Sequence, residues 1–225
     1  MLSGSPGTGK TIFGLEYIYN GATKFNEKGI YVSFEQPVAE LRKQAKLFGW
    51  DFDELIKKGV AELIYIPAKD INRKTSEMIL EKVRKGKIKR LVIDSISTLV
   101  VNAPIYGYMT DLTLIDIDKG KSFLSPPIIG DFIVKRFVYS FVNDLHEVDG
   151  CTTILISEAS EKGEFLSRDT ISEFICDGVI QVIYEPMGGE FSRSLIVRKM
   201  RHTKNDEDIH PLEISPKGIV IHKLS

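Results

Sequence analysis

Residues Gly4-Ser5-Pro6-Gly7-Thr8-Gly9-Lys10-Thr11 fulfil the spacing GxxxxGK[ST], with Gly4, Gly9, Lys10 and Thr11 at its fixed positions. Glycine permits backbone angles that turn successive N–H groups inward around an anion. From Lys10 to about Lys24 the apolar residues recur at helical spacing, so the loop opens directly into an amphipathic helix. That helix aims its dipole and its first free amides at the same anion. The Lys10 ammonium is placed to reach terminal phosphates, and the Thr11 hydroxyl to meet a magnesium ion. The eight residues therefore read as a cradle for a nucleoside triphosphate.

Outward from the loop, apolar runs rich in Val, Ile and Tyr recur at Ile30–Phe34, Glu62–Ile66, Leu91–Asp94, Thr152–Ser157, Gly178–Tyr184 and Leu195–Arg198. Several lack alternation, as expected of strands buried on both faces. Helical spacing fills the intervals at Pro37–Phe48, Thr75–Arg84 and about Asp131–Glu147. This alternation predicts an α/β fold of three layers, with a mostly parallel central sheet flanked by helices. After residue 175 the helical signals stop, and turns such as Pro186-Met187-Gly188-Gly189 predict antiparallel hairpins at the C-terminal end. Asn102 to Gly130 holds several prolines and glycines without periodicity and reads as a long surface excursion. Only Met1-Leu2-Ser3 precede the loop, so residues 1–225 are expected to form one domain lacking most of its first strand.

Two carboxylates fall at the expected edge of such a sheet. The strand Leu91-Val92-Ile93 ends in Asp94, which faces the crevice where ligands bind in open parallel sheets and can hold magnesium through a water. No glutamate follows Asp94, so a group to activate water must come from elsewhere. Glu35, at the end of Ile30–Phe34, lies at that edge and is the candidate base.

Composition narrows the class. Thirty basic residues against 31 acidic ones leave a net charge of −1, which gives no global attraction for nucleic acid or an anionic membrane. No apolar run approaches the length of a membrane span. Cys151 and Cys176 stand far apart without metal-ligand spacing, and no secretory signal opens the chain, so a soluble, cytoplasmic protein is expected. The basic run Lys82 to Arg90 reads as the solvated end of a helix.

Several segments together resemble the single-domain KaiC-like ATPases of the RecA superfamily. They are Gly4–Thr11, Ile30–Gln36, Arg90–Ser97 and Ser192–Thr203 with its Lys199-Met200-Arg201 tripeptide, followed by Ile214–Ile219. The resemblance spans nearly the whole chain. It implies a RecA-like core binding ATP and magnesium, in a ring usually of six identical subunits, with each active site shared between neighbours. Glu35 matches the water-activating glutamate of that family. Lys199 and Arg201 match residues that reach the γ-phosphate on the adjacent subunit, and Ser157 stands where such proteins place a polar γ-phosphate sensor. Gln36 departs from the pair of glutamates the family often shows. Glu173-Phe174, ahead of Ile175-Cys176-Asp177, offers no hydroxyl where the clock protein KaiC phosphorylates itself, so no circadian role is implied.

Three readings follow. The first is an ATPase that forms a ring, and the second is a nucleotide-gated regulatory module with little turnover. The third is a recombinase-like single-strand DNA binder using the loop Glu158–Arg168, where acidic residues outnumber basic ones and the charge does not favour it.

Overall fold

A computed structural model of the chain describes residues 1–72, 74–102, 126–159, 165–184 and 193–223, the side chains of 126–129 excepted. The turn at Pro186–Gly189, most of the excursion (103–125) and the centre of the candidate DNA loop (160–164) lie outside these residues.

Nine strands form a sheet in the order β3-β2-β4-β5-β1-β6-β7-β8-β9. The strands are β1 (Leu2–Gly4), β2 (Gly29–Ser33), β3 (Ala61–Tyr65), β4 (Arg90–Asp94), β5 (Thr152–Glu158), β6 (Gly178–Tyr184), β7 (Arg193–Met200), β8 (His210–Ser215) and β9 (Gly218–Ile221). Pairing is parallel from β3 through β6 and antiparallel from β6 through β9, as the spacing of the apolar runs predicts.

The strands are apolar on both faces because helices cover both. On β2, Ile30 and Val32 enter one core with Leu91, Ile93, Leu155 and Phe141, whereas Tyr31 enters the other with Val92, Ile156, Leu15 and Ile18. Helix α1 (Lys10–Lys24) lies on the second face and buries Leu15, Ile18 and Ala22 at helical spacing. It approaches closely at Gly14, where a Cβ would stand 2.9 Å from Cε2 of Tyr31 and 3.0 Å from Cγ1 of Val92. Any larger residue there would push α1 off the sheet.

The remaining helices are α2 (Val38–Lys46), α3 (Phe52–Lys57), α4 (Thr75–Gly86), α5 (Ile96–Val101), α6 (Pro126–His146) and α7 (Ser172–Ile175). Three of these, α3, α5 and α7, go beyond the sequence expectation. So does the start of α6, since residues 126–130 belong to that helix rather than to a surface excursion. Pro126 and Pro127 sit at its first positions, where a proline's missing N–H costs nothing. Lys82 to Lys85 form the solvated end of α4, with Lys82 on Glu62 and Lys85 on Glu81, whereas Arg90, the last residue of the basic run, begins β4 and is largely buried against Glu27. Among the described residues no helix is long and apolar enough to cross a membrane.

The register sets the functional edge. Ser33 pairs with Asp94, Asp94 with Ile156, and Ile156 with Leu2. The C-terminal ends of β1, β2, β4 and β5 therefore lie within two residues of one level, and the loop after β1, Glu35, Asp94 and Ser157 stand at one edge of the sheet.

Candidate nucleotide-binding site

The loop between β1 and α1 is built around an open helix end. Gly9 caps α1 with φ 100° and no side-chain hydrogen bond, and no acidic residue occupies the first turn. The amides there are available to an anion. The φ of Gly9 favours glycine, and a Cβ there would also lie 2.8 Å from Cδ1 of Ile214, whose side chain would have to shift. Thr8 Oγ1 donates to Ser5 O at 2.9 Å and tightens the turn. The Lys10 ammonium folds over the loop and donates to Gly4 O at 2.7 Å and Ser5 O at 2.8 Å. Burial lowers the Lys10 pKa, and the carboxylates of Asp94, Glu158 and Glu35 partly offset that effect. A desolvated cation above uncapped amides is an arrangement that a phosphate completes.

Beside the loop, Thr11 Oγ1 donates to Asp94 Oδ2 at 2.8 Å, joining residues 83 apart in the chain. The buried phenol of Tyr31 donates to the same oxygen at 2.5 Å. Burial raises the Asp94 pKa, while these two donors hold it down in part. Thr11 and Asp94 are the pair that could hold a divalent cation. A hydroxyl and a carboxylate are hard oxygen donors, and they suit magnesium when phosphates and waters supply the rest of its shell.

Glu35 follows β2 and stands exposed, with its backbone continuing into Gln36, whose N–H donates to Ser33 Oγ at 2.9 Å. Its Oε1 accepts from Thr98 Oγ1 at 2.5 Å and from Ser95 Oγ at 3.3 Å. Ser95 also caps α5 by accepting from Thr98 N at 3.1 Å, so the same short helix that follows Asp94 fixes Glu35. Ser157 is fully buried at the end of β5, and its hydroxyl lies 3.4 Å from that of Ser97 on α5 rather than bonding to the loop.

Sequence reasoning missed three neighbours. Tyr31 reads as one more apolar strand residue, and Thr98 as part of an unassigned segment. Arg193 begins β7, donates to Gly7 O at 3.2 Å and lies over the Tyr184 ring at 4.9 Å. A signal for Arg193 existed in its place within the segment that carries the family resemblance, but it pointed to no role.

Lys199 and Arg201 are brought together with each other and not with the loop. Lys199 Nζ donates to Glu173 O at 3.1 Å and Phe174 O at 3.0 Å. Arg201 donates to Phe174 O at 2.8 Å and Ile175 O at 3.3 Å, and contacts Asp177 Oδ1 at 3.4 Å. Both thus cap the C-terminal carbonyls around α7. Burial lowers the Lys199 pKa, with Arg201 adding to the effect. The register places Met200 opposite Gly178, whereas the loop residue Gly4 is opposite Val182. Four residues of strand separate those levels, roughly 13 Å at the usual rise.

The fold and the loop together define a RecA-type ATPase domain. A family model described as "ATPase: KaiC" matches residues 1–105 and 130–225. A UPF0273 protein of Thermotoga maritima is 32% identical over 238 residues, covering 99% of this chain and 86% of the relative. The circadian clock oscillator protein KaiC of Parathermosynechococcus lividus is 26% identical over 233 residues, and the match spans 38% of that longer protein. Among solved structures, a KaiC-like protein from the hyperthermophilic archaeon Pyrococcus horikoshii OT3 aligns with a TM-score of 0.76 and 32% identity, over 99% of this chain and 88% of the other. The chain belongs to the KaiC ATPase family.

Proposed function

We propose that the protein is a magnesium-dependent ATPase that works as a homo-oligomeric ring, probing each nucleotide with groups from two subunits. The observation that carries this reading is a division of residues. Lys10, Thr11, Asp94 and Glu35 gather at one sheet edge, whereas Lys199 and Arg201 are held toward the other, beyond reach of their own loop.

In this reading, Lys10 exchanges its two carbonyl partners for the terminal phosphates, which the amides of α1 also face. Thr11 and Asp94 would hold a magnesium ion, which would supply charge neutralisation at the phosphates. Glu35 accepts a proton from the attacking water. A bond forms between the water oxygen and the γ-phosphorus as the bond to the β-phosphate oxygen breaks, and the electron pair leaves with ADP. Thr98 and Ser95 fix the Glu35 carboxylate through Oε1. Arg201 and Lys199 of an adjacent copy would stabilise charge on the γ-phosphoryl oxygens, an effect of about 10³–10⁵ for an arginine finger.

The test couples light scattering, with and without nucleotide, to phosphate release on one sample. Expected is a multimer that releases phosphate with magnesium and ATP, against a Lys10→Ala control that does not. A monomer with no release above that control defeats the proposal. A multimer that binds nucleotide, with a trace release unchanged by Glu35→Gln, would instead identify a nucleotide-gated regulator.

A further inference from the structure

We infer that Tyr31 is a positioning residue for the metal site: its phenol fixes the Asp94 carboxylate so that Oδ1 is the oxygen presented to magnesium. The inference rests on the reading that Thr11 and Asp94 hold the ion.

Tyr31 is fully buried in the middle of β2, and Asp94 ends the neighbouring strand two rungs further along. The phenol bridges that offset diagonally and donates to Oδ2 at 2.5 Å. Thr11 Oγ1 donates to the same Oδ2 at 2.8 Å, from the opposite side of the cleft between α1 and the sheet. Two donors from separate elements thus converge on one carboxylate oxygen, and Oδ1 carries neither bond. A carboxylate with one oxygen doubly anchored cannot rotate about its Cβ–Cγ bond without breaking both contacts. The ring itself is clamped, because α1 passes so close at Gly14 that a methyl there would stand 2.9 Å from Tyr31 Cε2. The phenol is therefore a fixed reference for the carboxylate.

The division of labour also suits Thr11. Its single O–H is spent on Asp94, which leaves its lone pairs free for a cation. Hydrogen-bond donors that brace a metal-binding carboxylate from behind fix its orientation, and their loss typically costs about 10- to 100-fold in metal affinity. The plainer alternative is that Asp94 merely satisfies a buried phenol, in which case removing the hydroxyl changes stability alone.

Tyr31→Phe separates the two, since it keeps the ring and deletes the donor. The probe is a fluorescent ATP analogue titrated onto the parent and variant chains, first in EDTA and then against rising magnesium. In EDTA, the two are expected to bind within about two-fold of each other, whereas the variant's half-maximal magnesium concentration rises about ten-fold or more. An unchanged magnesium midpoint overturns the inference, even if the melting temperature falls. Should Tyr31→Phe not fold, p-aminophenylalanine at position 31 keeps a weaker donor in place. It is expected to shift the midpoint several-fold, and no shift again overturns the inference. A parent that binds the analogue without any response to magnesium overturns the inference and the metal assignment together. A responsive parent whose two variants keep the parent's magnesium midpoint overturns the role of Tyr31 alone.

Discussion

Asp94 and Lys10 are carried at a cost that nucleotide binding can offset. Burial raises the Asp94 pKa above its unfolded value, so its contribution to stability is full below the unfolded value and is lost as pH rises through the folded one. Burial lowers the Lys10 pKa, so its contribution is full above the unfolded value and is lost as pH falls through the folded one. The charged form of each group is the one that burial penalises, so ionisation of either opposes folding. Asp94→Asn is therefore expected to stabilise the nucleotide-free protein by about 0.5–2 kcal/mol while removing the magnesium response. Thermal unfolding in EDTA checks it, and a lower melting point for the variant would contradict the account. Glu35→Gln should leave nucleotide affinity near the parent's and cut phosphate release by about 10²-fold or more, as loss of a general base does. Equal single-turnover rates for the two chains would remove Glu35 from the chemistry. The residues of this site differ in how openly the sequence declares them. Gly4 to Thr11 are contiguous and their spacing is itself the mechanism. Tyr31 and Thr98 act across 63 residues of chain, and each has the composition of ordinary strand or helix.

Helix α1 does more than end the phosphate loop, because the C-terminal hairpin is docked on its flank. Glu16 Oε2 accepts from Ile219 N at 2.8 Å, and Ile214 of the same hairpin packs where any side chain at Gly9 would fall. Glu16→Ala leaves that N–H without its partner and should cost about 1–3 kcal/mol. For a chain of this size that is a fall of about 2–4 °C per kcal/mol, read in a thermal scan. An unaltered melting temperature would mean that the pairing of β8 with β7 and the apolar contacts hold the hairpin without this bond. The long elements were legible because burial on two faces writes continuous apolar runs, and α1 writes a helical stripe. The six-residue helices α3 and α5 are too short to show a period, but their caps were visible in principle. Asp51 accepts from Glu54 N, and Ser95 from Thr98 N. An aspartate or serine three residues ahead of its donor is the local mark of such a start.

At the scale of the whole molecule the site is asymmetric. One edge of the sheet holds the loop, Asp94 and Glu35, and the carbonyls around α7 hold Lys199 and Arg201 toward the other. A register shift between Val179 and Ile180 leaves Arg198 as the extra residue on β7, directly before Lys199. Bulges of this kind re-aim the side chains that follow. No rearrangement of side chains alone brings Arg201 across roughly 13 Å of strand to its own loop. The sequence pairs these residues with the loop only through family resemblance, since spacing along one chain carries no information about a second copy. If Arg201 acts on a neighbour's nucleotide, the contact is head-to-tail, with two different surfaces meeting at each interface. Two inactive variants should then repair each other. Lys10→Ala supplies an intact Arg201, and Arg201→Ala supplies an intact loop. In rings formed at random from equal amounts of the two, a loop from one meets a finger from the other at roughly a quarter of head-to-tail interfaces. Mixed, dissociated and reassembled, the pair should therefore regain roughly a quarter of the parent's phosphate release, while each variant alone stays near background. Recovery that depends on reassembly places the finger in trans. Full multimers of mixed composition with no recovery would return Lys199 and Arg201 to the role that their hydrogen bonds already give them, the capping of α7.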